Sequence, residues 1–220
     1  IRLFVKPTLG AVKIPDLDKP HGERLQRELS DRPYQSNRAV DVLSLMVNKA
    51  VEWELRPAGS NPCRYVRKFR EERRQRFLQG HEFEALGQAL TEAERDGTAT
   101  PAAVGAIRLL MLTGARLSEV LQLEWSHVDL ERGTLNLPTS KTGAKVIQLN
   151  PAATELLRNT PRLEGNPFVF PGQRPGRPIV NLQKSWRRIR ERAGLEDVRI
   201  HDLRHSFASV AASSGLSLPI

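Results

Sequence analysis

Apolar residues in the first third of the chain recur at helical spacing. Asp18-Lys19-Pro20 is a helix-start signature, so residues 18–29 read as one helix. Residues 36–55 read as a longer amphipathic helix, with Pro33 as the break between the two. In the longer one Val40, Leu43, Val47, Ala50 and Val51 share a stripe, as a helix packing against a neighbour requires. Arg56-Pro57-Ala58-Gly59 ends it. Past Gly80 the helical period returns over residues 81–95, which Asp96-Gly97 stops. Thr100-Pro101 opens another helix carrying Val104, Ile107 and Met111 up to Gly114, and a short one starts at Leu117.

The period then falls to two. Residues 134–137 and 145–149 alternate like strands, and the polar stretch 139–144 between them reads as a hairpin turn. Asn150-Pro151 caps a further helix, and residues 168–170 form a short strand or extended segment. Residues 181–193 turn Leu182, Trp186, Ile189 and Ala193 inward before Gly194, and a last helix runs from His201 to Ser214 ahead of Gly215. The fold predicted is mainly α, with α+β character in the second of two domains: helices and a basic linker over 1–76, then 77–220 with a small antiparallel sheet.

At 220 residues and 39% hydrophobic content the chain can bury ordinary cores. Its one cysteine, Cys63, excludes an internal disulfide and a multi-cysteine zinc site. The longest apolar stretches, such as residues 109–112, are far short of a membrane span. The start, Ile1-Arg2-Leu3-Phe4, has no initiator Met and no secretory pattern, so a cytoplasmic fragment is expected.

Charge changes the picture more. Thirty-four Lys and Arg against 25 Asp and Glu give +9. Residues 1–80 carry 17 basic and 10 acidic side chains, against 17 and 15 in residues 81–220, so the excess sits in the first third. Residues 64–76 alone hold seven basic and two acidic side chains. Such a run is often only a solvated face, but beside a domain boundary it also suits a phosphate backbone. Arg64, Arg67, Lys68, Arg70, Arg73 and Arg74 are the candidate contacts to a nucleic-acid phosphate backbone.

Two segments place arginine where a core would resist it. In Thr113-Gly114-Ala115-Arg116-Leu117-Ser118-Glu119, Arg116 follows a glycine break between apolar helices. It must be paired or await an anion. Glu119 can orient it, and a plain helix-start ion pair explains the spacing equally well. In His201-Asp202-Leu203-Arg204-His205, spacings of three and four put His201, Arg204 and His205 on one helix face near its positive end, a favourable address for phosphate. Two histidines four apart also resemble a zinc-peptidase helix, but Asp stands where that chemistry needs Glu, and Arg204 would set a cation beside the metal.

Taken together, Ala-Arg-Leu-Ser-Glu-Val-Leu, a lysine-bearing hairpin and His-Asp-Leu-Arg-His occur in the order and at spacings that resemble the catalytic domain of the tyrosine recombinase, or phage integrase, family. The resemblance covers about residues 77–220, and the upstream helices resemble the last part of that family's core-site-binding domain. It implies that Arg116 and Arg204 hold a scissile phosphate, that His201 stands beside the second arginine, and that Lys141 is the hairpin lysine. Glu119 and His205 would support them. Metal-free phosphodiester cleavage needs planar cations that neutralise developing charge, and a proton donor for the leaving 5′-oxygen, which suits Lys141; an ordinary turn lysine is the competing reading.

The implied activity is site-specific recombination through a 3′-phosphotyrosyl intermediate, with no metal or other cofactor. The two domains would clamp the duplex between them. The implied partner is duplex DNA, and the protein would be a monomer in solution and a tetramer on synapsed DNA. A non-catalytic DNA-binding relative, a regulator of recombination and a type IB topoisomerase-like enzyme remain alternatives. The family places a second His or Trp and then its nucleophilic tyrosine after the last motif, and this sequence reaches Ile220 without either. Its two tyrosines, Tyr34 and Tyr65, lie in the first domain.

Overall fold

In the computed structural model, which describes residues 1–72, 74–138 and 143–213, Pro33 opens a helix where the sequence pattern suggested a break. Proline has no N–H to donate and a fixed φ, so it is well suited to the first helical position. The chain divides into two units, Ile1–Arg74 and Gln75–Ile220.

The first unit is helical: α1 (Val5–Leu9), α2 (Lys19–Glu28) and α3 (Pro33–Glu52). Asp18 caps α2 by accepting from the His21 backbone N–H at 3.2 Å. The apolar stripe of α3 delivers Val40, Leu43 and Val47 to a core shared with Val5, Leu9, Leu25 and Val66. Ala50 is buried as well, whereas Val51 lies only half-buried at the edge of the stripe. Each fully buried aliphatic side chain contributes about 1.5–3 kcal/mol of transfer free energy. The helix stops at Glu52, short of the expected Leu55, because Glu54 adopts a left-handed φ of 59° and Leu55 N–H turns back to the Ala50 carbonyl at 2.8 Å. Cys63 is buried in this core, and burial pushes its thiol up to about 11.

The basic run is fixed by its backbone. After a 3₁₀ turn at Pro62–Tyr65, the buried Asn37 of α3 accepts from Phe69 N–H at 2.9 Å and donates to the Phe69 carbonyl at 2.9 Å and to Glu71 Oε1 at 2.8 Å. Gln26 donates to the Arg67 carbonyl. These bonds satisfy a segment that belongs to neither a helix nor a sheet, and they leave its side chains to project.

In the second unit, α4 (Gly80–Arg95) and α5 (Pro101–Thr113) are followed by the five-residue α6 (Leu117–Leu121). Strands β1 (Val128–Asp129), β2 (Thr134–Leu137) and β3 (Lys145–Gln148) form an antiparallel sheet in that order. Strand β1 is too short to show a period, so only the β2–β3 pair was legible. Register is set by Leu135 opposite Ile147 and Leu137 opposite Lys145. Phe168 makes an isolated bridge to Glu124 and the chain bends at residues 169 and 170, so the expected strand or extended segment is reduced to that bridge. Then come α7 (Pro151–Asn159), α8 (Gln183–Arg192) and α9 (Asp202–Ser213). The core gathers Leu86, Leu90, Ile107, Leu109, Phe170, Trp186 and Leu203. Trp186 Nε1 donates to the Val198 carbonyl at 3.2 Å, which satisfies the indole inside that core.

Candidate active site

The site is built where α5 ends. Gly114 takes a left-handed φ of 58°, and its N–H closes the helix on the Leu110 carbonyl at 3.1 Å. A side chain there would collide with Phe207 of α9, since an added Cβ would lie 2.5 Å from the Phe207 Cδ1. The glycine therefore serves two ends: it turns the chain toward Arg116, and it lets α9 approach.

Arg116 is the residue before α6. Its Nη1 donates to Glu119 Oε1 at 2.7 Å and its backbone N–H to Oε2 at 2.8 Å, so Glu119 caps the helix and holds the guanidinium at once. The Glu119 side chain is only 4% exposed, which makes a charged carboxylate costly unless it is fully partnered. Burial alone would raise its pKa. The hydrogen bonds from Arg116 and the nearby ammonium of Lys145, whose Nζ lies 3.2 Å from Oε2, outweigh this and hold the carboxyl below its usual range. Lys145 was not singled out in the sequence, although alternation puts it on the same face of β3 as the buried Ile147.

From α9, Arg204 donates through Nη1 to the Gly114 carbonyl and is half-buried. His201 immediately precedes α9, which starts one residue later than expected, and its carbonyl accepts from Arg204 N–H at 3.2 Å. Its ring meets His205 edge-to-face at 4.9 Å between centroids. Partial removal from water, then His205, Arg204 and Arg116, lower the His201 pKa against an opposing pull from Asp202. This favours the neutral ring, which can donate through one nitrogen and accept through the other. Asp202, the first residue of α9, turns back and accepts from Arg199 N–H at 2.8 Å.

The structure thus gathers Arg116, Glu119, His201, Arg204 and His205 in one unit. Lys141 and Arg73 lie outside the described residues. Of the remaining basic candidates, all in the first unit, Arg64, Arg67 and Arg70 are exposed with no ion pair among the described residues. Lys68 is paired with Asp41, and Arg74 also has a partner. Arg76, the last residue of the basic run, falls in the second unit, where Glu82 at 2.6 Å and Asp197 at 2.8 Å hold it. Among the described residues no helix is long and apolar enough to cross a membrane.

The model of the phage integrase family matches residues 76–220. A putative integrase/recombinase of Haemophilus influenzae is 28% identical over 211 residues, covering 91% of this chain and 56% of its own. The tyrosine recombinase XerD of Pasteurella multocida is 27% identical over 126 residues, 52% of this chain and 42% of its own. A crystal structure of a lambda integrase dimer bound to a core site superposes with a TM-score of 0.71 at 18% identity, covering 96% of this chain and 80% of that one, which shows a shared fold. The chain spans little more than half the length of the first of these relatives.

Proposed function

Because the chain belongs to the phage integrase family, we propose that the protein containing it cuts and rejoins DNA at a specific site through a covalent phosphotyrosyl intermediate. One observation carries this reading. Arg116 and Arg204 come from segments far apart in sequence and converge on the same turn: one follows Gly114 by two residues, and the other bonds the Gly114 carbonyl. Two guanidiniums beside a neutral imidazole suit one task, neutralising the oxygens of a phosphodiester as charge develops during in-line attack.

In this mechanism Arg116 and Arg204 bind the nonbridging oxygens and His201 bonds the phosphate or manages the nucleophile's proton. Lys141 protonates the leaving 5′-oxygen. A tyrosine hydroxyl forms the bond to phosphorus as the 5′-oxygen departs; the 5′-hydroxyl of the exchanging strand then attacks phosphorus and expels the tyrosine, so the diester is restored and no nucleotide is consumed. Exposed Arg64, Arg67 and Arg70 add sequence-independent contacts to phosphate. Exchange between two duplexes requires four strand cuts, so four protomers act at synapsis, assembling on DNA in the cytoplasm from monomers.

The test is single-turnover cleavage of a labelled suicide duplex by the full-length protein, resolved on a denaturing gel. Arg116→Ala and Arg204→Ala should each slow adduct formation by about a hundredfold or more while leaving duplex affinity within a few-fold. Normal cleavage by either variant overturns the phosphate assignment. Duplex binding with no adduct from the intact protein identifies a non-catalytic DNA-binding relative, and adducts scattered over arbitrary sequence identify topoisomerase-like activity.

A further inference from the structure

Three donors converge on the two oxygens of Glu119, and the mechanism above uses only the residue that supplies two of them. Arg116 gives Nη1 at 2.7 Å to Oε1 and its backbone N–H at 2.8 Å to Oε2. The third is Lys145 Nζ, 3.2 Å from Oε2. Lys145 opens β3 opposite Leu137, and its side chain is 28% exposed, so it is withdrawn from solvent far more than a strand-edge lysine needs to be.

Charge explains why a second cation is useful. Glu119 paired with Arg116 alone would form a neutral pair and cancel the positive charge that a phosphate must meet. With Lys145 on the same carboxylate the cluster keeps a net positive charge, and Arg116 keeps its pull on an anion. Geometry points the same way. Lys145 and the Arg116 backbone occupy Oε2, so Oε1 is left to the guanidinium, which binds it end-on through Nη1. Arg116 Nε and Nη2 make no hydrogen bond among the described residues, and they remain as a fork for a second ligand.

Resting on the function proposed above, we propose that Lys145 is a positioning residue for strand cleavage: it acts through Glu119 to fix the plane and net charge of the Arg116 guanidinium, and it does not touch the phosphate. A lysine touching phosphate and a lysine acting through a carboxylate differ in measurable ways. A direct contact releases a counterion on binding, so its loss would lower the salt slope of DNA affinity by about one. A lysine acting through Glu119 leaves that slope unchanged, and its effect disappears once Glu119 can no longer carry charge.

The experiment measures single-turnover cleavage and salt-dependent duplex affinity of the full-length protein with Lys145→Met, Lys145→Arg, Glu119→Gln and the Glu119→Gln/Lys145→Met pair, with Arg116→Ala as the control for the underlying reading. Lys145→Met is expected to slow cleavage about tenfold in the parent background and less than twofold when Glu119 is already Gln. Its affinity and salt slope should match the parent, and Lys145→Arg should recover most of the rate. The proposal is overturned by an equal factor in both backgrounds, by a salt slope reduced by about one, or by a parental rate for Lys145→Met. If Glu119→Gln fails to fold, the salt slope and the Lys145→Arg rescue still decide it, since loss of a phosphate contact lowers the slope by about one and loss of a positioning residue leaves it unchanged. If Arg116→Ala cleaves normally, the reading of the site fails whatever Lys145 does.

Discussion

Arg204 of α9 reaches back 90 residues to donate its Nη1 to the carbonyl of Gly114. The bond joins the end of α5 to the start of α9, and each side of it leads to a candidate phosphate ligand. Arg116 sits two residues beyond the carbonyl, and Arg204 is the donor itself. The turn at Gly114 therefore fixes the site as much as either arginine does.

Gly114→Ala is accordingly expected to destabilise the second unit by more than about 2 kcal/mol. A left-handed φ costs a non-glycine residue about 1–2 kcal/mol, and the new Cβ would also press on Phe207, with Cδ1 at 2.5 Å and the ring's Cγ at 3.0 Å. Chemical denaturation measures it, and Phe207→Ala in the same chain should relieve part of the added loss. A Gly114→Ala protein as stable as the parent would show that the turn tolerates a side chain and that its glycine serves some other end.

Arg76→Ala should destabilise the second unit by about 1–3 kcal/mol without changing the salt dependence of DNA binding, because Glu82 and Asp197 already occupy its guanidinium. The pH dependence has a definite sign. Hydrogen bonds from Arg76 hold Glu82 at about 2, below its ordinary 4.5, against the opposing effect of burial. Its stabilising contribution is complete above pH 4.5 and is lost as pH falls toward 2. Unfolding curves of parent and Arg76→Ala should therefore converge on acidification over that range. A constant gap between them would show that the loss is one of packing.

Replacing Arg64, Arg67 and Arg70 together by Ala should reduce the slope of log affinity against log salt by about 2–3, since each phosphate neutralised contributes about 0.9. Lys68→Ala should do less, because Asp41 already holds its ammonium. Duplex titration at several ionic strengths reads both. An unchanged slope in the triple variant would remove the basic run from the DNA interface.

The 220-residue chain alone should form no covalent DNA adduct. Residues 75–220 contain no tyrosine, and the two that exist, Tyr34 and Tyr65, are exposed on the other unit. In-line attack requires reacting atoms within about 3–3.5 Å. Incubation with a labelled suicide duplex, with and without the full-length protein, is the assay. A covalent band from the chain alone would place the nucleophile on one of those two tyrosines or on another side chain.

Much of this protein could be read from order along the chain. Helical period located α2, α3, α4, α5 and α8, and alternation located β2 and β3, because which residues face a core depends on local periodicity. Arg116 and the segment from His201 to His205 stood out for a similarly local reason: charged side chains beside a glycine break and at a helix start need partners. What sequence spacing could not supply was pairing between distant segments. Pro33 and Glu54 set the ends of α3 through backbone angles that carry no periodic signal, and β1 is too short to have a period. Arg76 looked like one more member of a basic run until Glu82 and Asp197 were found around it. Lys145 stood only as the first residue of an alternating strand until the fold carried its ammonium to the carboxylate 26 residues earlier. Residue types and their local spacing determined the helices, the sheet pair and the candidate phosphate ligands. Tertiary structure alone decided which cations are already neutralised and which remain open to an anion, because an ion pair depends on distance in space, and chain position does not encode it.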